Sequence, residues 1–284
     1  MIFPIALRFM GGIRSAVAYD PDLFKGAAAF YDRFRAPYAQ AAIDLAAERL
    51  GLNSASRIVD LGCGPGTLAR RFAPRVAQVI AMDPDPDMLA EGRRLAAAEG
   101  VSNIVWMQAG SAELDQLKGS FRAAIMGQSF HWMDRDQVLR EFHRLLEDEG
   151  GIALINPGPR RPQESWEPIA AEVVERYLGR RPRHPQANPD EPHHGPALRR
   201  SAFEITDNLE FSSKIRRDIP SVIGAVYSIS RSTQRLFGDR LGAFEGDLEA
   251  ALRRASPEGV FESEIETNVT VVMKRTAPPP PLPG

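Results

Sequence analysis

At 284 residues, 43% hydrophobic and 25% charged, the chain has the make-up of a globular protein with a sizeable core, large enough for one α/β domain and an added lobe. Its formal net charge of −2, with the arginines interleaved among Asp and Glu, gives no electrostatic reason to expect nucleic acid or an anionic membrane as partner. The single cysteine, Cys63, excludes an intrachain disulfide and points to a reducing compartment, hence to the cytoplasm.

The opening MIFPIALRFMGG is apolar but short, broken by Pro4 and Arg8 and without a basic leader, so we expect a docked or disordered segment rather than a span or a secretory signal. Ile43, Ala46, Ala47 and Leu50 recur at helical spacing between Tyr38 and Leu50, with Gly51 as a C-cap. Strands follow at Arg57–Leu61 and at Gln78–Met82, the latter ending on Asp83. Asp87 is placed to cap a helix that stops at Gly100. Strands at Ile104–Met107, Ala123–Met126 and Ile152–Asn156, with a helix at Asp134–Leu146, complete a strict β-α alternation. That order predicts an α/β fold, a Rossmann-like, mostly parallel sheet with helices on both faces, whose ligands bind at the carboxyl ends of the strands.

The alternation breaks at Pro157. Beyond it we expect an amphipathic helix over Glu164–Leu178, an irregular Pro- and His-rich stretch over Arg180–Pro196, and a strand or hairpin over Phe203–Ile219. Helices over Ser221–Ser230 and Ser232–Arg254 and a last strand over Thr267–Lys274 follow, so a mainly helical substrate lobe is inserted after the fifth strand. The irregular stretch is expected to act as a lid, and the tail APPPPLPG to lie extended outside the fold. His184, His193 and His194, with Asp190 and Glu191 nearby, match no ligand spacing, and no metal is expected.

The chemistry concentrates in Val59-Asp60-Leu61-Gly62-Cys63-Gly64-Pro65-Gly66-Thr67. Glycines are needed where backbone turns sharply against a ligand, and a carboxylate about 20 residues on, Asp83, can accept both hydroxyls of an adenosyl ribose. The spacing is G-x-G-x-G rather than the dinucleotide G-x-G-x-x-G, and Asp60 would repel a pyrophosphate while suiting a ligand with an ammonium and a sulfonium. S-adenosylmethionine is therefore favoured over a nicotinamide dinucleotide.

VDLGCGPGTLA followed by VIAMDPDPDML resembles motifs I and II of the class I S-adenosylmethionine-dependent methyltransferases. QAGSAEL and GQSFHW resemble the small-molecule branch that includes trans-aconitate-type and ubiquinone-biosynthesis-type enzymes. The resemblance covers roughly Phe30 to Asn156 and implies roles for matched positions. Gly62, Cys63, Gly64 and Gly66 would lie along the methionyl part, Asp60 would hold its ammonium, and Asp83 with Pro84 would meet the ribose. Met88, Ser111, Ala112 and Glu113 would surround the adenine, Ser111 standing where many relatives carry Asp, and Gln128 would follow the fourth strand at the cofactor. Tyr31 and Arg35 belong to FYDRFR, which resembles the segment folding over the cofactor; Arg35 would pair with the methionyl carboxylate, unless this is simply an amphipathic first helix.

His131 is the candidate general base, with a pocket-shaping histidine as the alternative reading. Trp132 is a wall of the pocket or part of the core. The expected reaction is methyl transfer to an oxygen, carbon or nitrogen of a small-molecule acceptor, with S-adenosylhomocysteine as product. A same-scaffold enzyme catalysing cyclisation or another non-methyl reaction, a catalytically silent cofactor-binding partner subunit and, more distantly, a nicotinamide oxidoreductase are the alternatives. The corresponding division is an N-terminal segment covering the cofactor (1–36), a cofactor-binding core (37–157), a substrate lobe with the sixth strand (158–266), the last core strand (267–275) and a Pro-rich tail (276–284).

Overall fold

Runs of aliphatic residues that end on glycine or aspartate build the sheet, as their length and lack of polar interruptions dictate. The computed structural model describes residues 23–158, 164–180 and 193–275. The apolar opening, most of the Pro- and His-rich stretch and the Pro-rich tail lie outside the described residues. The strands are β1 (Arg57–Leu61), β2 (Gln78–Asp83), β3 (Ile104–Gln108), β4 (Phe121–Gly127), β5 (Leu146–Pro157), β6 (Phe203–Asp218) and β7 (Val260–Lys274). Among the described residues they form one seven-stranded sheet in the order β3-β2-β1-β4-β5-β7-β6. The first five pair in parallel, and β7 runs antiparallel between β5 and β6.

Alternate residues of each central strand enter two cores. Ile58, Ala123 and Ile125 face α2 (Gln40–Arg49) and α3 (Thr67–Phe72), while Val59, Leu61, Ala124 and Met126 face α5 (Arg135–Leu145). Ala197 and Leu198 of α7 (Gly195–Arg200) join this second core. The helix α4 (Pro86–Ala98) follows β2, adding Leu89 to the first core. Each large aliphatic or aromatic side chain fully buried here contributes about 1.5–3 kcal/mol. A third core, around Trp166, Tyr227, Phe237 and Phe244, belongs to α6 (Glu167–Leu178), α8 (Ile219–Tyr227) and α9 (Leu241–Ala255). Phe30 and Phe34 of α1 (Ala28–Phe34) pack on it, and Gly224 leaves the room that the Phe34 ring occupies. No helix among the described residues is long and apolar enough to cross a membrane.

Several boundaries differ from expectation. The alternating stretch after Phe203 is one 16-residue strand, and β7 begins at Val260 because Phe261 and Ile265 alternate inward along its first half while that half pairs with β6. The helix expected from Ser232 begins only at Leu241, after two short 3₁₀ turns separated by Phe237. Gly238 there takes φ +53°. The helix expected from Glu164 starts at Glu167, and Glu164 is instead buried as an ion-pair partner.

Candidate functional site

From β1 the chain runs outward to β2 and β3 and then returns to β4 on the other side of β1. The carboxyl ends of β1 and β4 therefore part at a topological switch point, where open α/β sheets bind ligands. The glycine loop after β1 and Gly127-Gln128 after β4 flank that crevice.

Gly62 and Cys63 both donate their N–H groups to the Met82 carbonyl, at 2.8 and 3.0 Å, so the loop stays bound to β2 as it turns. Gly62, Gly64 and Gly66 all have positive φ, but they differ in their surroundings. A Cβ at Gly62 would strike Ser129, whose hydroxyl donates to the Leu61 carbonyl, and one at Gly66 would strike the Trp106 ring. Gly64 has no atom within 4 Å of that position, so here the absent side chain leaves open space. The Gly64 N–H donates to Asp83 Oδ2 at 2.7 Å, and the Asp85 N–H donates to Asp83 Oδ1 at 2.9 Å, which joins the loop to the end of β2.

Two carboxyls are buried side by side in this turn. Asp60 Oδ2 accepts from the Ala69 N–H at 2.9 Å, while Oδ1 is buried with no hydrogen-bond partner. Burial, helped by the nearby Asp83, pushes the Asp60 carboxyl up to about 8 despite the Ala69 bond. Burial also raises Asp83, to about 6, against the lowering effect of its two backbone donors. The Cys63 thiol is buried and held well above its usual value, which makes it a packing group rather than a nucleophile.

Around the rim, Asp85 rather than Asp87 caps α4, accepting from Asp87 N and Met88 N, with Pro86 at the first helical position. An aspartate with extended backbone followed by proline is the better cap, because Pro86 lacks the N–H that a helix start leaves unused. Met88 is buried in that first turn, and Pro84 is half-buried with its carbonyl accepting from Gln108. Ser111, Ala112 and Glu113 open a 3₁₀ turn; Glu113 accepts from the Gly110 N–H at 2.8 Å, so its carboxylate is engaged in capping.

Two cavities adjoin the switch point. The smaller, 280 Å³, is walled by Tyr31, Arg35, Tyr38, Thr67, Arg70 and Gln128 among others. Asp32 closes it by accepting from Thr67 and from Arg70, which also pairs with Glu99. The larger, 530 Å³, lies between the sheet and the lobe; Arg35, Tyr38 and Gln128 line both. Arg35 stacks over the Tyr31 ring and donates to the Ser228 carbonyl at 3.1 Å, leaving its Nε buried without a partner. Gln128, the one non-glycine with positive φ among the described residues, donates to the Tyr38 hydroxyl at 3.3 Å. Burial holds the Tyr38 phenol well above its usual range, so it remains protonated.

The structure thus brings Asp60, the glycines and Asp83 together, and Tyr31, Arg35 and Gln128 together beside them. His131 is placed elsewhere: it lies against Trp132 in a 3₁₀ turn and lines neither cavity. Burial and the neighbouring Arg135 lower its pKa to about 4, which keeps the imidazole neutral at neutral pH. Residues not singled out from the sequence complete the larger cavity. Buried Glu164 and Arg217 pair at 2.8 Å, Trp166 donates to Glu164, and Arg217 also donates to the Phe34 carbonyl. Tyr38 sat in the sequence only as the start of a helix, and Glu164 as a helix end; no local pattern marks side chains whose partners lie tens of residues away.

Residues 58–150 match a protein family described as a methyltransferase domain. An uncharacterized methyltransferase of Mycobacterium bovis is 34% identical over 133 residues, 46% of this chain and 51% of the relative. A ubiquinone biosynthesis O-methyltransferase of Acinetobacter baumannii is 31% identical over 135 residues, 46% of this chain and 56% of that one. The chain spans about half the length of the curated relatives it matches. A candidate type II methyltransferase of Anaeromyxobacter dehalogenans shares the fold, with TM-score 0.54 at 21% identity over 86% of this chain and 99% of the other. The glycine loop and Asp60 and Asp83 lie within the segment that is similar to that methyltransferase domain, and the strand order places them at the switch point of the sheet.

Proposed function

We propose that the protein transfers a methyl group from S-adenosylmethionine to an oxygen, carbon or nitrogen of a small metabolite held between the sheet and the helical lobe. The observation that carries this reading is the pair of buried carboxyls, Asp60 with one oxygen unpartnered and Asp83 tied to the open glycine loop. Such a site suits an ammonium and a ribose diol and opposes a pyrophosphate. S-adenosylmethionine, when bound, would supply a methyl group on a sulfonium, whose sulfur departs as the neutral thioether of S-adenosylhomocysteine without protonation.

The chain's own residues bind and orient. Asp83 retains lone pairs for two ribose hydroxyls after accepting from Gly64 and Asp85. Asp60 Oδ1 accepts from the ammonium, and Arg35, with its unused Nε, faces the methionyl carboxylate from the segment preceding α2. Gln128 and Tyr38 stand where the two cavities meet, positioned to align the acceptor with the methyl group and to keep water out. The larger cavity's 530 Å³ is of the size that encloses a small metabolite. The lobe from α6 to α9 supplies its outer wall, which is the basis for assigning it acceptor recognition.

The test is incubation with labelled S-adenosylmethionine and a metabolite extract. Acceptor-dependent release of S-adenosylhomocysteine supports methylation. Tight binding of the cofactor with no turnover over a broad extract would count against it.

A further inference from the structure

Glu266 stands on β7 beside Gly158 in the wall of the larger cavity. Its Oε2 is buried and has no hydrogen-bond partner among the described residues. Leaving a buried acceptor unpaired costs about 1–3 kcal/mol, and more when it is charged, so native structures keep such groups where something else completes them. Two of the wall's arginines are committed elsewhere: Arg217 to Glu164 and the Phe34 carbonyl, Arg35 to the Ser228 carbonyl and the Tyr31 ring. The wall of the cavity is mixed, with Trp166, Val174 and Ile265 among its apolar residues and Ser228, Ser232 and Thr267 among its polar ones.

Register places this carboxylate. Thr267 lies opposite Pro157 at the end of β5, and β5 adjoins β4, which leads into Gln128. Two strand spacings put Glu266 about 10 Å across the sheet from Gln128. It is too distant to take a proton from an atom being methylated beside Gln128, although both residues line the same cavity.

We propose that Glu266 is the specificity-determining residue of this cavity, selecting a metabolite with an apolar body and a hydrogen-bond donor, an amine or a hydroxyl, at the end remote from the methylated atom. The inference rests on the reading of the cavity as the acceptor site. The experiment loads wild type and Glu266→Gln with S-adenosylhomocysteine and titrates each calorimetrically with phenylbutylamine, phenylbutanol and phenylbutyrate. Wild type should prefer the amine to the carboxylate by at least about tenfold, with the alcohol between them, and Glu266→Gln should weaken the amine by about tenfold while leaving S-adenosylhomocysteine affinity unchanged. Equal amine affinity in both proteins, or a wild-type preference for phenylbutyrate, would overturn the proposal. The wild-type preference needs no variant, so a substitution that fails to fold does not shield the idea. Failure of S-adenosylhomocysteine to bind wild type would instead overturn the proposed function.

Discussion

On the proposed function, cofactor binding turns on Asp83 and Asp60. Hydrogen bonds to a charged group contribute about 1.5–3 kcal/mol, so Asp83→Ala should weaken S-adenosylmethionine roughly ten- to a hundredfold by calorimetry, in a protein whose circular dichroism is unchanged. Because burial raises both carboxyls, to about 8 and about 6, the ligand-free protein holds protons there that a cationic ligand must displace. Affinity should therefore fall as pH drops from about 8 to about 6, by up to about tenfold per pH unit, and an affinity flat over that range would remove the assignment. The same shifts act on stability in the other direction. A folded-state carboxyl raised above its unfolded value near 3.8 destabilises the fold progressively as pH climbs through the raised value. Asp60→Asn keeps an acceptor for the Ala69 N–H, so above about pH 8 it should raise Tm by on the order of 2–4 °C while weakening the cofactor.

At the scale of the element, α4 shows how a turn is built around a ligand site. Asp85 accepts two N–H groups of the first turn while its own N–H bonds Asp83, so one residue both starts the helix and anchors the carboxylate proposed to meet the ribose. Asp85→Ala should cost about 0.5–2 kcal/mol in urea unfolding and also weaken cofactor binding. Asp87→Ala, the substitution suggested by the helix signal alone, should change stability by less than about 0.5 kcal/mol, since that side chain is exposed and caps nothing. Equal losses in the two variants would contradict the capping geometry.

Across the whole molecule, the Glu164–Arg217 pair links the connection after β5 to β6, and through the Phe34 carbonyl to the end of α1. Both side chains are almost fully buried, at 1% and 5% exposure, so breaking the pair from one side leaves a charge stranded. Glu164→Leu should destabilise the protein by about 3–5 kcal/mol in urea. The double variant Glu164→Leu/Arg217→Met should recover most of that loss, because two apolar groups no longer need a partner. If the double variant is as unstable as the single one, the pair's value lies in its backbone contact with Phe34 instead.

Much of this was legible in the residues themselves. The five parallel strands, the glycine loop and Asp83 follow from local alternation and from glycine's freedom at positive φ, which depend on neighbours a few positions away. The sequence by itself determined the Rossmann-like core and the glycine loop with Asp60 and Asp83 beside it. Only the tertiary structure decided which glycine leaves open space, since Gly62 and Gly66 are filled by Ser129 and Trp106 from distant strand ends. It also decided that His131 lies off both cavities while Tyr38, Glu164, Arg217 and Glu266 line the larger one. The physical reason is separation along the chain: a strand's pattern records which face is buried, whereas a cavity wall is assembled from side chains whose proximity exists only once the sheet and the lobe have packed together.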